Sequence, residues 1–164
     1  MAHLDPGYGG ICEDCDLSGR ILAGARITHG VFRRTDFSHA VLARADGSGS
    51  VFEQADFSGA DLSHAKLIGS HCAGARFPGA ILSQSDATRA DFSGADFRDA
   101  DIQNGTFVGA KFNSAHFEGA RLMGSNFSGA DLRGASGLRR RQLREACGDA
   151  ETQMPRGLSI PRCR

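Results

Sequence analysis

Tryptophan and an excess of one charge are both missing from this sequence of 164 residues. It has no Trp and one Tyr, and 19 basic residues balance 19 acidic ones. A net charge of zero argues against binding to nucleic acid by bulk electrostatics. No apolar run approaches the roughly 20 residues that span a bilayer, and no secretory signal pattern opens the chain. We therefore predict no direct contact with nucleic acid and no membrane association.

What the sequence does contain is a five-residue period. From Leu17 to Leu132, 21 of the 24 positions spaced by five are Phe, Leu or Ile, and all 11 Phe fall in this register. Two residues earlier, 23 of the 24 positions hold Ala, Ser, Gly, Thr or Cys. Residues two apart on an extended chain face the same side, so both members of each pair are expected to point inward. The other three residues of each unit then point outward.

A single unit cannot bury its own apolar face, so units must stack in successive coils. The spacing at which like residues fall above one another then gives the number of units in one coil. At a spacing of twenty residues the Phe and Leu positions sort into separate columns, whereas spacings of 15 or 25 mix them. We therefore predict an all-β, four-sided β-helix (β-solenoid) of about six coils, with looser packing at Gly47 and Ala87. The predicted core ladders are Phe37, Phe57, Phe77, Phe97, Phe117, Leu42, Leu62, Leu82, Phe52, Phe92 and Phe112.

The open ends of a solenoid need cover, which divides the chain into three predicted segments. Residues 1–11 form an N-terminal cap, residues 12–136 the β-helix, and residues 137–164 a short α-helix and tail. The helix is expected around Leu143, with Gly148 as its stop signal. A helix here would shield the last coil from solvent.

The unit Ala-Asp-Leu/Phe-X-X, seen at residues 55–59 and 130–134, resembles the pentapeptide-repeat family. That resemblance implies a right-handed quadrilateral β-helix. The C-terminal segment contains Gly137-Leu138, Gln142-Leu143 and Ala146-Cys147-Gly148-Asp149. These residues resemble a segment found on bacterial members, in which Ser or Thr caps the helix. Arg139 stands at that position here, so Ser136 is the predicted substitute cap. Family members that bind DNA gyrase dimerise through this end, which implies a possible homodimer.

Cysteine and histidine give no clear chemical site. Five Cys, an odd and scattered set, are not the framework of a disulfide-rich protein, which predicts reduced thiols and a cytoplasmic location. Cys12 and Cys15 form a C-x-x-C motif, either half a zinc site or a redox pair, or else two inward residues of the first coil. Of the six His, the five within the repeats share no column at adjacent coils: His29, His39, His64, His71 and His116. We predict no metal, no cofactor and no catalytic activity.

Any function must then lie on the outer faces, and two hypotheses stand. The first is a non-catalytic scaffold that presents flat faces to an unknown protein partner. The alternative, implied by the resemblance, is a DNA-mimic modulator of a type II topoisomerase such as DNA gyrase, by inhibition or quinolone protection. Residues 16–133 carry 13 acidic and 12 basic side chains, which departs from that subclass.

Candidate interaction residues fall into an acidic group and a basic C-terminal group. Outward Ile21 and Val41 share one column and Val31 and Val51 another, either as a binding patch or under cover of the N-terminal residues. The candidates are Asp86, Asp91, Asp96, Asp99 and Asp101, which are predicted to cluster, and Arg139, Arg140, Arg141 and Leu143 at the C-terminal end.

Overall fold

The computed structural model describes residues 10–164, and the N-terminal cap predicted at 1–11 lies almost wholly outside them. The chain winds as a right-handed, four-sided β-helix in which residues twenty apart pair as parallel β-bridges. The pairing runs from Ile11↔Val31 to His116↔Ser136, which is about six coils. The strands are single bridges separated by corners, so each side of the coil is one short extended segment.

Each coil has four faces, which we number by the outward residue that forms its bridge. Face 1 begins at Ile11, face 2 at Asp16, face 3 at Ile21 and face 4 at Arg26, and each face continues in steps of twenty. Both backbone groups of a bridging residue point to the preceding coil. Val31, for example, donates its N–H to Gly10 at 2.9 Å and accepts from Cys12 at 2.8 Å. The hydrogen bonds therefore run along the axis of the rod.

The corners need a left-handed backbone at the last residue of each unit. Gly59 has φ +63° there, and His39 has φ +56° in an equivalent corner. Glycine adopts this conformation at no steric cost, while other L-residues pay roughly 1 kcal/mol or more. Twelve non-glycine residues among those described nevertheless adopt it. Stacking of the coils, and not glycine alone, therefore imposes the corner geometry.

Stacked phenylalanines fill the interior. Phe37, Phe57, Phe77 and Phe97 lie ring over ring, with centroids 4.9 Å apart and planes within 3° of parallel. Shorter stacks on other sides meet this ladder edge to face, as Phe92 does with Phe97 at 5.2 Å. Buried alanines fill the remaining space. The eleven predicted ladder positions are all at most 2% exposed.

Packing is loose at one of the two predicted weak points. A cavity of about 10 Å³ lies beside Gly47, between Phe52 and Leu67. It forms because Gly47 stands where other coils place a large inward side chain. That volume is at the lower limit for a single water molecule. Ala87, the second predicted weak point, is fully buried.

The C-terminal segment completes the rod. Helix α1 (Arg140–Arg144) follows Ser136 of face 2 and takes the place that the next face 3 strand would occupy. The chain then resumes bridging, with Cys147 against Asn126 and Gln153 against Asp131. Residues 147–153 thus begin a seventh coil over faces 4 and 1.

The side chain of Gln142, and not Ser136, organises the start of α1. The N–H of Arg139 donates to Gln142 Oε1 at 2.7 Å. The Gln142 amide in turn donates to the carbonyls of Phe117 and Ala120, at 3.1 and 2.8 Å. The prediction that Ser136 caps the helix was wrong, because its hydroxyl bonds His116 Nδ1 at 2.9 Å on face 2.

Two disulfides correct the prediction of reduced thiols. Cys147 is bonded to Cys163 and Cys12 to Cys15, with Cα atoms 4.8 and 5.4 Å apart. The first pair is sixteen residues apart in sequence and meets because the tail returns, with Gly148 bridging Arg162. Only Cys72 is a free thiol among residues 10–164, and burial raises its pKa to about 12. Cys72 therefore stays protonated and packs as a core residue.

Candidate interaction faces

The acidic group that looks continuous in sequence is dispersed around the rod. Asp86 lies on face 4, Asp91 on face 1, Asp96 on face 2 and Asp101 on face 3, since five residues along the chain turn one corner. Asp99 lies at the corner after face 2. These carboxylates do not form one patch, and the prediction that they cluster was wrong.

Each aspartate at an outward bridging position instead forms a hydrogen bond with the turn that follows it in the chain. Asp91 Oδ1 accepts the backbone N–H of Ser93 at 3.0 Å and the Ser93 hydroxyl at 2.6 Å. The same two-residue contact recurs at Asp56 with Ser58 and at Asp86 with Thr88. An Asx contact of this kind satisfies a backbone donor that the turn leaves exposed. The sequence carried the signal, because Ser or Thr repeatedly stands two residues after Asp.

Replacing Asp91 by Ala is expected to lower the free energy of unfolding by about 1 kcal/mol, because two hydrogen bonds at the corner are lost. Replacing it by Asn should cost less than half as much. The amide oxygen can accept the same N–H, as Asn126 already does from Ser128 at 2.9 Å. Urea denaturation of both variants measures the difference, and equal losses would show that the carboxylate charge matters more than the acceptor.

Basic neighbours neutralise much of the remaining acidity. Arg76 on face 2 reaches Asp56 of the coil below at 3.5 Å, and Arg33 lies between Glu13 and Glu53. Arg98 donates to Asp96 at 2.6 Å, and this hydrogen bond lowers the pKa of the Asp96 carboxyl.

A similar contact governs Asp131 near the end of the rod. Arg133 donates to it at 2.7 Å and lowers the pKa of that carboxyl. Asp131 therefore stays ionised and paired at neutral pH, which further reduces the free negative charge on the faces.

The basic group surrounds the C-terminal end. Arg139, Arg140 and Arg141 are exposed on and before α1, and residues 137–164 hold seven basic and three acidic side chains. Leu143, assigned to the same interaction surface, is only 1% exposed and packs on the last coil. That assignment was wrong, because α1 turns its single buried side chain inward to cover the core.

Exposed apolar side chains follow face 3. Ile21 is 80% exposed and Ile81 is 41% exposed, and Val41 lies half-buried between their coils. Met123, at the corner after this face, is 50% exposed. We call Ile21, Val41 and Ile81 the face 3 stripe. Asp61 interrupts it, and Asp101 and Arg121 follow it toward the C-terminus.

No group of three or more His, Cys, Asp or Glu that could hold a metal occurs among residues 10–164. The C-x-x-C motif is closed on itself as a disulfide, and Cys12 is 3% exposed. Both sulfurs fill the interior of the first coil.

The repeat, the corners and the stacked core define a pentapeptide-type quadrilateral β-helix. Two family profiles, both described as pentapeptide repeats, match residues 31–69, 65–104 and 87–136. The chain belongs to the pentapeptide repeat family. No curated protein matches it.

Solved structures with the same architecture include HetL, a pentapeptide repeat protein involved in heterocyst differentiation regulation in Nostoc sp. strain PCC 7120. It shares 19% identity over 91% of this chain and 82% of its own, with a TM-score of 0.59. QnrB1, a plasmid-mediated fluoroquinolone resistance protein, shares 17% identity over 91% of this chain and 87% of its own, with a TM-score of 0.48. A pentapeptide repeat protein of the Arabidopsis thaliana thylakoid lumen is 33% identical over 76% of this chain and 72% of its own, with a TM-score of 0.31.

The part of the chain that the structure describes contains no helix long and apolar enough to cross a membrane. Helix α1, with five residues, is the one helix in that part.

Proposed function

We propose that this protein is a non-catalytic scaffold that binds a protein partner through a flat β-helix face, with face 3 as the binding surface. The face 3 stripe carries the proposal. Outward positions on a soluble rod are expected to be polar, and exposed apolar side chains in one row are typical of interaction sites. Ile81 stands between Asp61 and Asp101 in its column, so the fold itself does not require an apolar residue there.

Replacing Ile81 by Asp tests this surface. We expect the variant to fold like the wild type, because Asp occupies the positions directly above and below, and to lose the partners that the wild-type protein captures from host extract. His71→Asp on face 1 is the matched control, since Asp91 follows it in the same column. Quantitative mass spectrometry compares the three captures, and identical protein sets would contradict binding through face 3.

The alternative function is modulation of a type II topoisomerase by DNA mimicry. The observation in its favour is a row of three consecutive carboxylates on face 2, those of Asp16, Asp36 and Asp56. This row of carboxylates ends at Arg76, which pairs with Asp56. Other carboxylates along the rod also form ion pairs with arginine. A gyrase supercoiling assay separates the two functions. No inhibition and no quinolone protection at tens of micromolar protein would remove the alternative.

Two of the sequence predictions, the cytoplasmic location and the C-terminal homodimer, are not part of this proposal. The cytoplasmic location rested on reduced cysteines, and the two disulfides remove that support. The homodimer through the C-terminal end would bring α1 of two copies together, with the exposed Arg140 and Arg141 of each on the contact. Like charges facing each other across a two-fold contact oppose association, so we do not include that dimer in the proposed function.

A further inference from the structure

The first coil has a β-edge that no other segment of residues 10–164 pairs with. The backbone N–H and C=O groups of Ile11, Asp16, Ile21 and Arg26 have no backbone hydrogen-bond partner among residues 10–164. In every later coil the equivalent groups bond the coil before, as those of Val31 do with Gly10 and Cys12. The four unpaired positions therefore direct both of their backbone groups out of the N-terminal end of the rod, one on each face.

The two ends of the rod differ in this respect. At the C-terminal end, α1 covers face 3 and residues 147–153 bridge faces 4 and 1. At the N-terminal end, Ile11 and Ile21 are 79% and 80% exposed, the two most exposed large apolar side chains of the described chain. An open edge flanked by apolar side chains favours pairing with another strand.

We propose that two copies of this chain dimerise head to head through their first coils, by antiparallel pairing of all four faces. In an antiparallel ladder, a residue that directs both its N–H and its C=O at the partner strand exchanges both hydrogen bonds with the residue opposite. Each of the four edge positions has that orientation. Such pairing requires a two-fold axis perpendicular to the rod, which is the symmetry of an isologous dimer.

The charges select one of the possible two-fold axes. An axis that crosses faces 1 and 3 places Ile11 against Ile11 of the second copy and Ile21 against Ile21. It also exchanges faces 2 and 4, so that Asp16 of each copy meets Arg26 of the other, twice in the dimer. An axis that crosses faces 2 and 4 would instead oppose Asp16 to Asp16 and Arg26 to Arg26. Opposite charges directly across a ladder are stabilising and like charges are destabilising, so the first axis is the proposed one.

This surface is complementary to itself, which is why a second copy is its occupant. The apolar pairs lie on the two faces that the axis crosses, and the opposite charges lie on the two faces that it exchanges. The outward columns Ile11–Val31–Val51 and Ile21–Val41 also become continuous from one copy to the other. The contact uses Ile21, the first residue of the face 3 stripe, but not Ile81 or α1, so Ile81→Asp tests partner binding without altering the dimer contact.

Charge reversal of the full-length chain tests the proposal by sedimentation equilibrium over a concentration series. Asp16→Arg opposes two arginines and Arg26→Asp opposes two aspartates, so each variant alone should dimerise at least about tenfold more weakly than the wild type. Mixing the two variants should form heterodimers, because each mixed pair is again Asp against Arg. Both substitutions have precedents in their own columns, Arg76 on face 2 and Asp46 on face 4.

Matched variants separate this interface from other causes. Arg140→Glu with Arg141→Glu should leave the dimer unchanged, and circular dichroism and melting temperature verify the fold of every variant. A wild-type monomer at 100 µM, as expected if residues 1–9 cover the edge, would overturn the proposal. A dimer that resists both charge reversals, or that depends on Arg140 and Arg141, would overturn it equally.

Discussion

Replacing Phe77 by Ala is expected to lower the free energy of unfolding by about 3–5 kcal/mol, within the range for deleting a buried aromatic ring. Phe77 is fully buried at the centre of the longest ladder, 4.9 Å from the rings of both Phe57 and Phe97. Its loss removes two stacked contacts and one edge contact with Phe92 at 5.8 Å. The coils on either side are held by backbone bonds along the axis, so they cannot close the gap.

Urea denaturation followed by circular dichroism measures this loss, and Phe77→Leu provides the matched control. Leucine fills the equivalent column positions on other sides, as at Leu62 and Leu82. Phe77→Leu should therefore lose less than half as much free energy of unfolding as Phe77→Ala. His71→Ala, on an exposed outward position, should change the free energy of unfolding by less than about 0.5 kcal/mol. A loss below 1 kcal/mol for Phe77→Ala would contradict the ladder as the main source of stability.

Replacing Cys163 by Ser is expected to have the second largest effect, lowering the free energy of unfolding by about 3 kcal/mol under oxidising conditions. Cys163 closes a loop to Cys147 over a sequence separation of sixteen residues, and a loop of that length constrains the unfolded chain by roughly this amount. The bond also fastens the returning tail, where Cys163 donates its N–H to Gly148 at 2.8 Å. Without it, the tail that returns to bridge Gly148 through Arg162 loses its covalent anchor.

Reduction supplies the control for this prediction. Dithiothreitol should destabilise the wild type by the same amount and leave Cys163→Ser almost unchanged. Cys15→Ser should have a smaller effect, because its loop to Cys12 spans three residues. If dithiothreitol leaves the wild-type melt unchanged, the Cys147–Cys163 bond contributes nothing to stability and the prediction is wrong.

The candidate surface shows where reasoning from the sequence failed. Asp86, Asp91, Asp96 and Asp101 are neighbours along the chain, yet a corner after every unit places them on four different faces. Their carboxylates accept backbone N–H groups two residues ahead, as at Asp96 with Arg98 at 3.0 Å. A charge count along the chain treats such aspartates as free surface charge, although each is engaged by its own turn. Leu143 was misplaced because the side of α1 that faces the core depends on how the chain leaves face 2.

The periodicity of the sequence was enough to predict the interior of this protein: the five-residue register, the coil of twenty residues and the identity of the stacked side chains. It could do so because every unit repeats the same local constraint, and like residues fall above one another only at the correct coil length. The features of the ends emerge only from the folded chain, namely the Cys147–Cys163 pairing, the anchoring of α1 by Gln142 and the exposure of Ile11 and Ile21. These contacts lie outside the period and join residues whose proximity depends on how the chain stops repeating.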